Sequence, residues 1–301
     1  MSDAVAQSPL RQTLGRLFSN TSVLIGGGLA LLITLMGIFA PYLDTRDPSG
    51  ISPKNRNKPP GYEATVRDRD TGQKVEVLYR MGSDTLGRDV YSRVVYGART
   101  SLIVGVSVAS IAIFLGMLIG LAAGYFRMAD GIIMRVMDGM MAIPAILLAI
   151  AVVSLFSAGL LSVIFAIVVS EIPRVVRLVR SVVLSIREEP YVEAAITAGT
   201  PTATLLIRHV LPNTIAPLIV QGTFIVASAI IVEAILSFLG IGIPPEIPTW
   251  GNIMAEGRQV FQLHPHNILY PGIVLALTVL SVNVLGDGLR DTMDPRFAKR
   301  V

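Results

Sequence analysis

Two carboxylates lie deep within long apolar stretches of this sequence, at Glu171 and Glu233. A charge at the centre of a bilayer costs about 2.5–3.5 kcal/mol, so each carboxylate is expected to face a protein interior or water. Arg174 lies one helical turn from Glu171, which favours a structural ion pair. Glu233 has no basic neighbour along its helix and either lines a polar pathway or reaches the membrane interface. Asn283, in the sixth predicted span, is a weaker candidate for a residue that lines the pathway.

The other polar groups form none of the constellations that catalysis or metal binding requires. Asp287, Asp291 and Asp294 alternate with arginines at a predicted helix end, where capping and ion pairing explain them better than a metal ion does. The three histidines are not at zinc-ligand spacing with other ligand types. The sequence contains no Gly-x-x-x-x-Gly-Lys-Ser/Thr loop, His-Glu-x-x-His pair or Gly-x-Ser-x-Gly elbow. We therefore predict a protein that is not an enzyme and binds no metal.

The composition is that of an integral membrane protein, with 52% hydrophobic and 15% charged residues. Crossing a bilayer takes about 20 residues of helix. Apolar stretches of this length predict an all-α membrane protein with six transmembrane helices, near 22–42, 100–126, 139–157, 160–182, 213–237 and 268–288. The chain has no cysteine, which excludes disulfides and thiolate chemistry.

Apart from residues 43–99, lysine and arginine lie mainly in alternate connections between the predicted spans. Residues 43–99 contain eleven basic and eight acidic residues, but this segment is long enough to translocate largely regardless of its charge. The positive-inside rule then places residues 1–21 and 291–301 in the cytoplasm and residues 43–99 in an external loop. The remaining five spans form a core over residues 100–290. Inside-facing loops account for the net charge of +4, so the charge requires no nucleic-acid partner. The predicted spans are expected to contact membrane lipid.

The external loop is predicted to be partly folded. Residues 65–70 and 74–79 flank Thr71-Gly72 and predict a small β-hairpin. Apolar residues at helical spacing over 86–95 predict a helix that lies at the outer membrane interface.

A polar segment at residues 190–212 separates two apolar stretches, yet its residues are typical of folded structure. Gly199 suits the left-handed conformation that ends a helix. Thr200 and Pro201 suit the start of a second helix, and Pro212 is expected to close it. The sequence therefore predicts two short helices at an angle, with a surface suited to docking into another protein.

Small residues recur in the second predicted span, at Gly116, Gly120 and Gly124. This spacing lets two helix backbones approach closely, either within the bundle or against a partner.

The polar segment resembles the coupling loop of ABC-importer permeases. The resemblance rests on Glu193-Ala194-Ala195, on Gly199 and on Leu211-Pro212. The family pattern usually has isoleucine where this chain has His209. The resemblance implies that Glu193, Ala194, Ala195, Gly199 and Pro212 contact an ATPase subunit.

Further motifs resemble the C-type subunits of the dipeptide, oligopeptide and nickel permeases. They are Ser-Asp-Thr-Leu-Gly-Arg-Asp-Val-Tyr-Ser-Arg at 83–93, Leu-Ser-Phe-Leu-Gly-Ile-Gly-Ile-Pro-Pro at 236–245, Pro-Thr-Trp-Gly at 248–251 and Leu-Gly-Asp-Gly-Leu-Arg-Asp-Thr-Met-Asp-Pro-Arg at 285–296. In that family the outer loop meets the substrate-binding protein, which implies that Trp250 and Gly251 form this contact.

The resemblance implies a type I ABC-importer permease bundle in a bacterial cytoplasmic (inner) membrane. The implied partners are a second homologous permease, two ABC ATPase subunits and an extracytoplasmic binding protein. ATP and Mg are expected on the ATPase subunits, and this chain is expected to bind no cofactor.

The substrate class stays open from the sequence. Peptides lead, while nickel, opines and short oligosaccharides remain alternatives because related permeases share these motifs. An ion-coupled secondary transporter usually shows internal repeats, which this chain lacks. A membrane-bound enzyme would require a nucleophile or a metal site.

Overall fold

The computed structural model describes residue 15, residues 17–67 and residues 74–293 of the chain, and these are mainly helical. The helices are α1 Thr21–Ile38, α2 Val90–Tyr125, α3 Arg127–Met141, α4 Ala145–Val153, α5 Leu160–Arg187, α6 Pro190–Thr197, α7 Thr202–Leu205, α8 Leu211–Phe238, α9 Trp250–Gly257 and α10 His266–Met293. The strands are β1 Tyr62–Arg67 and β2 Lys74–Tyr79.

Four continuous helices in the described residues are long and apolar enough to cross a membrane. They are α1, α2, α10 and a 37-residue helix in which α7, a π-helical turn at Leu206–Val210 and α8 run together. Helices α3 and α4 give a fifth candidate, broken by a bend of 92°. Helix α5 is 28 residues long, but its four arginines and one glutamate make it less apolar than the others.

Helix α2 differs from the expected division into an interfacial helix and a separate span. It is continuous over 36 residues, or about 54 Å at 1.5 Å per residue, which is longer than a bilayer core requires. The side chain of Asp89 caps it by accepting a hydrogen bond from the Ser92 N–H. Val90 and Val94 are buried in its first turns. The segment expected at the interface is therefore the packed beginning of α2.

The expected single span at 139–157 is also divided. The break falls at residues 142–144, where Pro144 precedes α4 and disfavours helical backbone in the residue before it. Helix α3 is held against α5 by two ion pairs. Arg177 Nη2 lies 2.7 Å from Asp138 Oδ1, and Arg180 Nη2 lies 2.7 Å from Asp130 Oδ2.

The two strands pair antiparallel, from Tyr62 opposite Tyr79 to Arg67 opposite Lys74. The first strand begins three residues before the expected position. The predicted turn at Thr71-Gly72 lies outside the described residues. Val77 and Tyr79 are buried, which ties one face of the pair to the rest of the chain.

The glycine stripe of α2 packs within the chain, against α5. A Cβ at Gly116, Gly120 or Gly124 would lie 2.5, 2.7 or 2.6 Å from the Cβ of Val175, Val179 or Val183, respectively. Carbon atoms in contact are normally about 3.5–4.0 Å apart, so each position accepts glycine alone at this helix separation. The stripe therefore sets the distance between α2 and α5.

This packing predicts a stability cost for Gly120→Ala. The added methyl group would meet Val179 Cβ at 2.7 Å and the Val176 carbonyl oxygen at 3.0 Å. Overpacking of this kind costs about 1–3 kcal/mol. We expect a lower midpoint of thermal unfolding for the variant purified in detergent.

Two further variants control for this result. Val179→Ala in the same chain should recover only a small part of the loss, because it removes Cγ1, 3.0 Å from the added methyl group, but keeps Cβ at 2.7 Å. Gly131→Ala should be neutral or slightly stabilising, since no heavy atom lies within 4 Å of the position that its Cβ would occupy and alanine favours a helix. An unfolding midpoint of Gly120→Ala equal to that of Gly131→Ala would contradict the proposed contact.

Candidate functional site

Residues 190–212 form a bent element that begins directly after α5. Helix α6 starts with Pro190, whose missing N–H is not required at a first helical position. Gly199 has φ +78° and ends the helix in the left-handed conformation, as the sequence predicted. The N–H groups of Gly199 and Thr200 donate to the carbonyl oxygens of Ile196 and Ala195, at 2.9 and 3.1 Å. The turn is therefore fixed by backbone hydrogen bonds.

The element is anchored by a few apolar side chains and exposes small ones. Val192 is fully buried, and Leu205 is 1% exposed. Glu193 and Ala194 are exposed, while Ala195 is half-buried. A second protein could approach the α6 backbone closely on the exposed side.

The second half of the element differs from the expected short, closed helix. The helix begins at Thr202, one residue later than expected, and Pro212 does not end it. The helix passes through a π-helical turn at Leu206–Val210 and continues as α8. Pro212 lies in the first turn of α8, where the absence of an N–H is tolerated.

A hydrogen-bonded group that the sequence did not indicate joins α6 to α8. Asn213 Nδ2 donates to Tyr191 Oη at 3.1 Å and to the His209 carbonyl oxygen at 2.8 Å. Tyr191 Oη lies 3.5 Å from the same carbonyl oxygen. The two side chains are 22 residues apart and meet only because the chain reverses at Gly199.

Two of the sequence motifs meet at the opposite end of the bundle. Asp84 Oδ1 accepts hydrogen bonds from the N–H groups of Leu86 and Arg88, both at 2.9 Å, and Asp84 Oδ2 lies 2.6 Å from Arg88 Nε. Arg88 Nη2 also contacts the Glu256 carboxylate of α9. The loop before α2 is thereby tied to α9.

Arg93 extends this cluster into the protein. Its side chain is fully buried, and its Nη2 donates to Asn252 Oδ1 and to the Pro245 carbonyl oxygen, both at 3.3 Å. Burial raises the pKa of Glu256, and the nearby guanidinium groups of Arg93 and Arg88 act against that rise. Sequence inspection missed these pairs because their members lie more than 150 residues apart.

The structure corrects the expected surface role of Trp250 and Gly251. Trp250 is fully buried, and its Nε1 donates to the Val94 carbonyl oxygen at 3.0 Å. A Cβ at Gly251 would lie 2.5 Å from Ala234 Cα. Both residues hold α9 against α2 and α8, so neither is available to an external protein. Leu263, by contrast, is 81% exposed in the same connection.

The intramembrane carboxylates are both enclosed. Glu171 accepts a hydrogen bond from Ser228 at 2.9 Å and lies 3.4 Å from Arg174 Nη1, so it links α5 to α8. Glu233 is fully buried and accepts a hydrogen bond from Ser237 at 2.8 Å. It therefore lines no open surface in this conformation, contrary to the pathway hypothesis. Asn283 is half-buried.

A cavity of about 670 Å³ lies between α5, α8 and α10, close to the coupling element. Its lining includes Asn213, Gln221, Phe224 and Arg290. Among the described residues, no group of three or more histidine or acidic side chains is placed to hold a metal ion. The geometry thus offers an exposed, bent element at residues 190–212 and a mainly apolar cavity that contains a few polar side chains.

Two family profiles match the chain. Residues 112–299 match the binding-protein-dependent transport system inner membrane component family. Residues 8–60 match the N-terminal transmembrane domain of oligopeptide transport permease C.

Several relatives are similar over nearly their whole length. A probable peptide ABC transporter permease of Sinorhizobium fredii is 50% identical over 92% of this chain and 90% of its own length. A di/tripeptide transport system permease of Pseudomonas aeruginosa is 39% identical over 97% of this chain and 94% of its own length. A dipeptide transport system permease of Alkalihalophilus pseudofirmus is 38% identical, with 97% and 91% coverage. These matches show that the chain belongs to the family of inner-membrane permease components of binding-protein-dependent ABC transport systems.

Proposed function

We propose that this chain is one of two different permease subunits of an importer that takes up di- or oligopeptides. The observation that carries the proposal is the α6 element, in which small exposed residues and the left-handed Gly199 form a docking surface at one end of the bundle. Movement of that surface by an ATPase subunit would tilt α5 and α8 and alternate access to the pathway.

The proposed topology has six crossings, formed by α1, α2, the α3–α4 pair, α5, α8 and α10. The short connections at the end of the bundle that carries α6 are rich in arginine, and the positive-inside rule assigns this end to the cytoplasm. The arginines at this end are Arg177, Arg180, Arg187, Arg208 and Arg290. The long connection at the other end also contains arginines, but a long segment can translocate largely regardless of its charge. The chain termini then lie in the cytoplasm, and β1, β2 and α9 lie outside.

The proposed complex contains a second permease, two ABC ATPase subunits and an extracytoplasmic binding protein. ATP and Mg would bind to the ATPase subunits, because this chain has no phosphate-binding loop. The exposed apolar side chains of Phe261 and Leu263 are better candidates for the binding-protein contact than the buried Trp250.

Peptides are the proposed substrates because the relatives named above are described as peptide permeases. The cavity beside α8 offers Gln221 and Arg290, which suit the amide and carboxylate groups of a peptide.

The topology can be tested by cysteine labelling, because the chain itself contains no cysteine. Gln262 and Thr197 are both exposed in this chain. In intact cells, an impermeant maleimide should label Gln262→Cys and should leave Thr197→Cys unlabelled until the membrane is permeabilised. Labelling of Thr197→Cys from outside would reverse the orientation and remove α6 from the reach of a cytoplasmic ATPase.

Two variants test the coupling surface. Gly199→Val places a β-carbon at φ +78°, which costs about 1–2 kcal/mol and redirects the chain after α6. Ala194→Trp places a bulky ring on the exposed surface. We expect both variants to insert into the membrane and pair with the second permease but to lose most uptake, with ATPase subunits absent from the complex or hydrolysing ATP without regard to substrate.

Gly131→Val is the matched control for Gly199→Val. Its added side chain meets no heavy atom within 4 Å at the β-carbon, and its backbone is helical. Uptake, ATPase rate and subunit stoichiometry should be measured on the same preparations. Normal values for both Gly199→Val and Ala194→Trp would refute the coupling assignment.

The substrate class can be tested with the complete complex reconstituted in liposomes. ATP-dependent, vanadate-sensitive accumulation of labelled dialanine is expected, and Ni²⁺, an opine or a trisaccharide should not compete. Accumulation of one of these compounds in place of the peptide would show that this compound, and not a peptide, is the substrate. Uptake driven by an ion gradient without ATP would instead indicate a secondary transporter.

A further inference from the structure

We propose that Tyr191 and Asn213 are positioning residues that transmit the movement of α6 directly to α8. The proposal rests on the coupling role assigned above to α6. It concerns the path by which force passes from the docking surface to a membrane-spanning helix.

The backbone path between α6 and α8 departs from regular α-helix at two places. The first is the reversal at Gly199, which is held by two backbone hydrogen bonds and has no heavy atom within 4 Å of the position that a β-carbon would occupy. The second is the π-helical turn at Leu206–Val210, in which the Leu211 N–H bonds to the Leu206 carbonyl oxygen. π-Helical turns are rare, occur mostly as single turns inside α-helices and are frequent at functional sites. A displacement of α6 would be partly absorbed at these two places.

The side-chain contact bypasses both places. Tyr191 lies in the first turn of α6, and Asn213 lies in the first turn of α8, beyond the π-helical turn. Asn213 Nδ2 donates both to Tyr191 Oη and to the His209 carbonyl oxygen, so one amide joins α6 to the end of the π-helical turn. The rings of Tyr191 and His209 also lie close, with centroids 6.4 Å apart.

Asn213 also lines the cavity between α5, α8 and α10. A rotation of α8 that starts at Asn213 would therefore alter this cavity directly. The contact thus links the docking surface on α6, through Tyr191, to the cavity, through Asn213.

Removing either partner should uncouple transport from hydrolysis without dissociating the complex. We expect Tyr191→Phe and Asn213→Ala to retain normal ATPase stoichiometry and maximal ATP hydrolysis. The dialanine transported per ATP should fall about two- to tenfold, the factor that corresponds to one neutral hydrogen bond of ordinary strength. The double variant should transport as much dialanine per ATP as the more impaired of the two single variants, because both substitutions remove the same contact.

Ser185→Ala is the matched control, since its hydroxyl bonds only within its own helix, to the Ser181 carbonyl oxygen at 3.2 Å. It should leave the transport ratio unchanged. A rescue experiment uses cysteines at positions 191 and 213 in a complex whose other subunits lack cysteine. Bridging them with a short bifunctional maleimide should restore the transport ratio, which a general loss of stability would not allow.

An unchanged transport ratio in both single variants, additive losses in the double variant, or no recovery after bridging would each overturn the proposal. These outcomes differ from a failure of the coupling assignment itself. If α6 docks an ATPase but Tyr191 and Asn213 do not transmit the movement, Ala194→Trp will still abolish uptake while Tyr191→Phe behaves like the wild type. If α6 docks nothing, Ala194→Trp will also behave like the wild type.

Discussion

The close approach of α2 and α5 is the constraint on which most of the described structure depends. Three glycines of α2 face three valines of α5 at distances that leave no room for a β-carbon. Helices in a bilayer gain little from the hydrophobic effect against one another, because lipid tails are as apolar as the side chains. Their association relies on dispersion contacts over closely fitted surfaces, and glycine allows the largest number of such contacts per turn.

This helix pair also fixes where polar groups are tolerated. The Glu171 carboxylate of α5 is enclosed because Ser228 of α8 reaches it and Arg174 lies beside it. At the cytoplasmic end proposed above, Arg177 and Arg180 hold the amphipathic helix α3 across α5. Glu171 is buried, and its charge would cost several kcal/mol without such partners. The Arg177–Asp138 pair is half-exposed and contributes at most about 1 kcal/mol.

At the two ends of the bundle, the contacts serve different purposes. The end opposite α6 is held by a network of Asp84, Arg88, Arg93 and Glu256, which joins residues far apart in the sequence. The α6 end is anchored more lightly, mainly by Val192, Leu205 and the Tyr191–Asn213 contact. An element that must move against its support is expected to have few buried contacts. This difference is the one expected if α6 moves as proposed above.

The sequence by itself determined the membrane class, the positions of most helices, the glycine stripe and the left-handed residue at Gly199. Each of these follows from a local property: the length of an apolar stretch, the spacing of small residues, or the conformational freedom of glycine. Only the tertiary structure decided that α2 is continuous, that α3 and α4 bend by 92°, that the helix continues past Pro212 and that Trp250 is buried. It also decided that Tyr191 meets Asn213 and that Arg88 meets Glu256. The physical reason is that burial and side-chain pairing depend on which distant helices become neighbours, and no periodicity within one segment encodes that choice.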